Sequence, residues 1–137
     1  MASRLNPYLN LNGTARQALE FYQGVFGGEL NIMTFGDMGA ADASDAGKIM
    51  HGQLETSAGY TLMVADVPSH MEYQAPAGFS NSLSGDADSA DALRSYFEQL
   101  AASGTTTMPL QKQSWGDEFG MCVDGFGVPW LVNIGQA

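Results

Sequence analysis

The stretch LNPYLNLNGTARQALEFYQGVFGGEL, residues 5 to 30, decides how the rest of the chain is read. Its opening alternates: Leu9 and Leu11 fall on one side and Asn6, Tyr8 and Asn10 on the other, the two-residue period of a strand with one buried face. After Asn12-Gly13 the period changes. Ala15, Ala18, Leu19, Tyr22, Val25 and Phe26 recur at helical spacing, Thr14 and Gln17 have the spacing of a capping box, and Gly27-Gly28 stops the run. The stretch predicts a strand, an amphipathic helix and the start of a second strand.

The same pattern returns further on. A shift of 74 places Leu9 on Leu83, Ala18-Leu19 on Ala92-Leu93 and Tyr22 on Tyr96. A shift of 68 places Gly52 on Gly120, Gly59 on Gly127, Met63 on Leu131 and Val64 on Val132. The second helix is expected to start near Asp88 or Ser89, to bury Ala90, Leu93, Phe97 and Leu100, and to end at Gly104. Before it, Ser80, Ser82 and Ser84 alternate with Asn81 and Leu83. Each copy reads β-α-β-β-β, over about 5–66 and 79–134, joined by the Pro- and Gly-bearing segment 67–78. The shifts differ because the first copy carries an extra, small and acidic loop, DMGAADASDAGK, expected to be mobile. The predicted fold class is α+β: one domain of two tandem modules, each with a helix on the leucine side of its sheet. The polar-to-mixed sides would enclose a cup-shaped cleft, the default ligand site.

Composition narrows the function. At 137 residues and 45% hydrophobic, the chain can bury a core without metal or disulfide staples. Five Lys and Arg against 15 Asp and Glu give a net charge of -10, which repels nucleic acid and anionic membranes. No apolar run approaches the ~20 residues of a membrane span, and MASRLNPYLN lacks the apolar middle of a secretory signal, so the chain is expected to be cytoplasmic. Cys122 is the sole cysteine, which excludes an internal disulfide, and its place in GMCVDG reads either as an inert buried strand thiol or, with a base or positive field nearby, as a reactive one. Most of the acidic side chains, among them Asp86, Asp88 and Asp91, fall in loops and helix starts and read as solvated surface.

LNPYLNLNGTARQALEFYQGVFGGEL, MTFGDM, KIMHGQL, TLMVAD, TMPLQKQSWGDEFGM and DGFGVPWLVN, in that order, resemble the PhnB-like branch of the vicinal oxygen chelate superfamily. This is the superfamily of glyoxalase I, extradiol dioxygenases, fosfomycin-resistance enzymes and bleomycin-resistance proteins. The resemblance implies paired β-α-β-β-β modules and a homodimer. Some members carry the label of a ubiquinone-pathway methyltransferase, but nothing here resembles the Gly-rich nucleotide loop of a Rossmann-type enzyme. In metal-dependent members, the resemblance places histidine and carboxylate ligands of one divalent ion on the first and fourth strands of each module, where the ion polarises substrate oxygens. The matching positions are Asn6 and Ser80, and Met63 and Leu131. None is His, Asp or Glu, and the neighbours Pro7, Thr61, Leu62, Trp130 and Val132 are no better donors. No metal or other cofactor is expected at the usual positions.

The remaining candidates follow from placement. His51 in KIMHGQLE shares a strand face with Gln53 and Glu55; it reads either as a general acid or base or as a hydrogen-bonded strand histidine. Some ~7 Å of rise per two residues keeps His51 and Glu55 from chelating one ion directly, while His70 in the linker reads as solvated. WGD at 115–117 echoes FGD at 35–37: Trp115 and Asp117 read either as a stacking platform with a hydrogen-bond acceptor or as a plug and turn cap. Met50, Met63, Met108 and Met121 fall on strands and serve either an adaptable pocket or core gap-filling. The cleft residues are Asn6, Tyr8, Gln53, Met63, Ser80, Ser82, Trp115, Asp117, Met121, Leu131 and Asn133. The expected function is metal-free binding of a small molecule, with no nucleic acid or membrane partner. The alternative is a lyase or isomerase of the glyoxalase type, using His51 as base or a displaced divalent-metal site.

Overall fold

The computed structural model describes residues 3–39 and 44–136. The chain divides into two units, residues 1–75 and 76–137, each an α+β layer of one helix on one four-stranded mixed sheet. The first unit runs β1 (Tyr8–Leu11), α1 (Ala15–Phe26), β2 (Glu29–Thr34), a single 3-10 turn (Gly36–Met38), β3 (Ile49–Glu55) and β4 (Thr61–Asp66). Its sheet order is β1-β4-β3-β2, with β1 parallel to β4 and the other pairs antiparallel. The second unit repeats this as β5 (Asn81–Gly85), a 3-10 turn (Ala87–Ser89), α2 (Ala90–Ala102), β6 (Thr105–Lys112), β7 (Glu118–Val123) and β8 (Pro129–Ile134), in the order β5-β8-β7-β6.

Both helices bury the stripes that their spacing predicts. In α1 these are Ala15, Ala18, Leu19, Tyr22, Val25 and Phe26; in α2 they are Ala90, Leu93, Phe97 and Leu100. They meet the leucine side of each sheet, where Leu9, Leu11, Leu54, Leu62 and Val64, or Leu83, Trp130 and Val132, are buried. Gly52 lets α1 sit close: a Cβ there would lie 2.2 Å from Leu19 Cδ1. Between β2 and β3 the register slips, Met33 pairing with His51 and Thr34 with Ile49. The extra residue reverses the alternation, so Ile49 enters the core while His51 stays on the opposite side.

Helix capping departs from the sequence pattern. Thr14 makes no side-chain cap bond. The first N–H of α1, from Ala15, instead donates to Asp66 Oδ1 at 3.0 Å, and Ile49 N donates to Asp66 Oδ2 at 3.0 Å. A carboxylate from the far end of the module thus does the work expected of the local hydroxyl, because it also satisfies the strand N–H freed at the register slip. At the second helix, Asp86 accepts from Asp88 N and caps the 3-10 turn rather than α2.

Not all of the acidic charge is solvated. Asp45, Asp66 and Asp124 are buried, each with hydrogen-bond donors. Asp45 belongs to the acidic loop, of which residues 40–43 lie outside the described residues. Its carboxyl is held below the usual range chiefly by the Ser69 hydroxyl and, after it, by Lys48, with Nζ 3.1 Å away.

The duplication is visible in the last turn of each unit. Thr56 N donates to Tyr60 O, and Tyr60 N to the Thr56 hydroxyl. At the matching positions of the second unit, Asp124 N donates to Val128 O, and Val128 N to the Asp124 carboxylate. The turn glycines Gly59 and Gly127 take φ of 91° and 82°. Asp124 also accepts from Trp130 Nε1 at 2.8 Å, anchoring the buried indole. The outer strand β6 is exposed along almost its whole length, contains Pro109 and shows two register irregularities against β7.

Candidate functional site

Each sheet has one face covered by its helix and one free of it. On the first sheet, register aligns Tyr8, Met63, Gln53 and Asn31 in a row across the open face, and pairs His51 with Met33 behind it. Tyr8 and His51 reach each other across β4, ring centroids 5.9 Å apart and tilted by 39°. Ala65, the small residue beneath on that side of β4, is buried. Tyr8 itself is 48% exposed, so the face presents an aromatic edge, a thioether, an amide and an imidazole.

A charged cluster closes one end of this face. Arg4 Nη1 donates to Glu55 Oε1 and to the Thr61 hydroxyl, both at 3.0 Å. The Thr61 hydroxyl donates to Glu55 Oε2 at 2.9 Å, and Gln53 Nε2 donates to Glu55 Oε1. The Thr61 and Gln53 bonds, with Arg4 adding to them, hold the Glu55 carboxyl below the ordinary range. Glu55 is an acceptor committed to its neighbours. The His51 imidazole has no hydrogen-bond partner among the described residues, so no carboxylate orients it in the way a catalytic base is usually oriented.

The open face of the second sheet is built on the same grid with different chemistry. Ser82, Leu131, Met121 and Met108 form one row, and Ser84, Asn133, Phe119 and Gln111 the next. Phe119 stands where the first unit has His51. Trp115, 58% exposed in the turn before β7, meets Phe119 edge-on with centroids 6.1 Å apart. Asn133 Nδ2 donates to Asp117 Oδ2 at 3.2 Å, while the main chain of residues 113–117 closes the turn through Gly116 N to Gln113 O and Gln113 N to Asp117 O. In WGD the backbone makes a turn, and the Trp and Asp side chains lie against Phe119 and Asn133 of the open face. FGD is a turn alone, with Asp37 and Thr34 bonded to each other's main-chain N–H.

The expected cleft residues divide between the units. Tyr8, Gln53 and Met63, with His51, belong to the first face; Ser82, Met121, Leu131 and Asn133, with Asp117 and Trp115, belong to the second. Asn6 and Ser80 lie just ahead of β1 and β5, and the Asn6 amide is turned to the Pro7 carbonyl at 3.2 Å. Met63 is paired with Tyr8 and Leu131 with Ser82. These side chains do not fit a divalent ion, which prefers imidazole and hard oxygen donors. Among the described residues, no three His, Cys, Asp or Glu side chains are grouped to hold a metal ion. Sequence reading overlooked Phe119 and Arg4. Phe119 matches His51 under the shift that aligns the module ends, and Arg4 continues the alternation of Asn6 and Tyr8 outward, so both carried a signal.

Comparison with known proteins places these features. Residues 3–133 match the family model of 3-demethylubiquinone-9 3-methyltransferase. Protein YjdN of Escherichia coli (strain K12) is 32% identical, over 95% of this chain and 94% of its own. Among solved structures, protein PA1353 of Pseudomonas aeruginosa is 35% identical with a TM-score of 0.86, covering 99% of this chain and 100% of its own. The PhnB protein of Bacillus cereus is 23% identical with a TM-score of 0.73, over 97% and 100%. A glyoxylase/bleomycin resistance protein/dioxygenase domain from Frankia sp. EAN1pec shares the fold at 13% identity and a TM-score of 0.65, over 99% and 93%. No helix of the described residues is long and apolar enough to cross a membrane.

Proposed function

We propose that this chain, which belongs to the PhnB-like 3-demethylubiquinone-9 3-methyltransferase family, binds a small organic molecule on its open sheet faces without the divalent metal common in the wider superfamily. The observation that carries this reading is the make-up of those faces. Tyr8, His51, Gln53 and Met63 on one, and Trp115, Phe119, Met121 and Leu131 on the other, offer flat aromatic and soft apolar contact with a few amides and hydroxyls, and no set of hard donors. The net charge of -10 favours a neutral or cationic guest, and Trp115 beside Asp117 suits a planar cation. Methyl transfer forms no part of the proposal: the turn between β1 and α1 holds a single glycine, Gly13, and the sheets are not doubly wound.

The test is a thermal-shift screen of planar cationic and neutral compounds, followed by Tyr8→Ala and Trp115→Ala. A saturable rise in Tm is expected, lost in the variant of whichever face holds the compound; a panel that never shifts Tm removes the support for binding. Elemental analysis of dialysed protein addresses the metal-free part, and one tightly held ion per chain would overturn it. The contact of Tyr8 with His51 supports a second reading, a metal-free isomerase or lyase with His51 as base. Turnover that survives His51→Ala would eliminate it. A homodimer is part of the proposal, and sedimentation showing a monomer at micromolar concentration would remove it.

A further inference from the structure

The corner where the helix begins beside the end of the sheet is finished differently in the two units. In the first, β4 ends in Asp66, whose buried carboxylate fills the corner with bonds to Ala15 N and Ile49 N. The matching position at the end of β8 is Ile134, paired with Gly85 as Asp66 is paired with Leu11. An aliphatic side chain accepts nothing. At this corner of the second unit there is a cavity of about 400 Å³.

The cavity has two kinds of wall. Ala87, Ala90 and Ile134 supply an apolar side, while Arg94, Lys112, Glu118 and Gln136 supply a polar one, the Gln136 amide using one N–H on Trp115 O at 3.5 Å and keeping the other. Arg94 uses Nε and Nη2 on Glu118, at 3.2 and 2.5 Å, and Nη1 on Asp91 at 3.3 Å. Its Nη1 and Nη2 each keep a second N–H. Lys112 lies across from Glu118 by register, and its side chain has no hydrogen-bond partner among the described residues. Two of the five Lys and Arg in a chain of net charge -10 therefore line one cavity; Glu118 and Asp91 both pair with Arg94, while the Lys112 ammonium has no carboxylate in salt-bridge contact among the described residues. Strand alternation puts Lys112, Glu118 and Ile134 on the helix side of the sheet, away from the face that holds Met121, Leu131 and Asn133.

We propose that this cavity is a second, separate binding site, for a small organic carboxylate. The carboxylate takes N–H donors from Lys112, Arg94 and the Gln136 amide, and its short apolar body lies against Ala87, Ala90 and Ile134. The bound anion restores at this corner the negative group that Asp66 builds into the other. The inference does not depend on the open-face reading, and its test engages different residues.

The experiment is a titration of the ¹⁵N-labelled full chain with sodium butyrate, followed by amide shifts, with sodium chloride at matched ionic strength as control. Saturable shifts are expected at Ala87, Ala90, Gly116 and Gly135, absent with chloride alone. Lys112→Gln changes an exposed side chain, and the spectrum itself reports that the variant is folded. It should raise the half-saturation concentration about fivefold, and Arg94→Gln should raise it further. Shifts that are linear, that chloride reproduces, or that Lys112→Gln leaves unchanged would overturn the proposal.

Discussion

Replacing Asp66 by Ala tests whether a distant carboxylate, rather than the adjacent threonine, starts the first helix. The side chain is buried and takes two main-chain N–H groups, each at 3.0 Å. Removing it strands both donors away from water, at about 1–3 kcal/mol each, so the loss should be about 2–6 kcal/mol. Urea midpoints shift by that loss divided by an m-value of about 1–3 kcal/mol/M, giving a drop on the order of 2 M. Asp66→Asn retains an acceptor for one donor only and should lose roughly half as much. Thr14→Ala, at the position that resembles an N-cap but makes no side-chain cap bond, should cost a few tenths of a kcal/mol, against the ~1 kcal/mol of a true cap. The reasoning fails if Thr14→Ala costs as much as Asp66→Ala, or if Asp66→Ala costs less than about 0.5 kcal/mol.

Gly52→Ala should destabilise by about 1–3 kcal/mol because its methyl meets Leu19 Cδ1. Combined with Leu19→Ala it should show a coupling above about 0.5 kcal/mol, and simple additivity would refute the contact. Glu118 is held below the ordinary glutamate value of 4.5, chiefly by its hydrogen bond to Arg94. A depressed folded value stabilises the protein above that ordinary value and loses its effect as pH falls below it, so wild type and Glu118→Gln should differ modestly in Tm near neutrality and converge below about pH 4.5. Curves that stay parallel through that range would argue against the pair. Burial, with Asp124 adding to it, pushes the Cys122 thiol up to about 11. Iodoacetamide at mildly alkaline pH should spare the native protein and label it once unfolded; rapid native labelling would show the thiol to be accessible.

Much of the fold was legible because its signals are local or repeated. The helical stripe from Ala15 to Phe26, the leucines at 9 and 11, and the glycines at 59 and 127 each imply their own geometry, and the two shifts tie them into modules. Asp66 was not legible as a cap, since a cap pattern is sought within a few residues and this one arrives from the last strand of the module. Asp45 looked like surface charge because its loop is small and acidic; only the return of the chain past Ser69 buries it. For the site, alternation put His51, Gln53 and Glu55 on one face, as the strand shows. It did not reveal that Thr61, Gln53 and Arg4 take both oxygens of Glu55, leaving His51 without a carboxylate partner.

The outer strand β6 bears on how this protein behaves among unfolded neighbours. A free edge normally offers a continuous line of N–H and C=O groups on which another chain can zip up and seed aggregates. Here Pro109 deletes one donor from the middle, the register slips once before it and once across it, and Lys112 ends the line with a charge. A strand so interrupted cannot template a growing stack, so the exposed border of the second sheet can stay open to water without becoming a point of polymerisation.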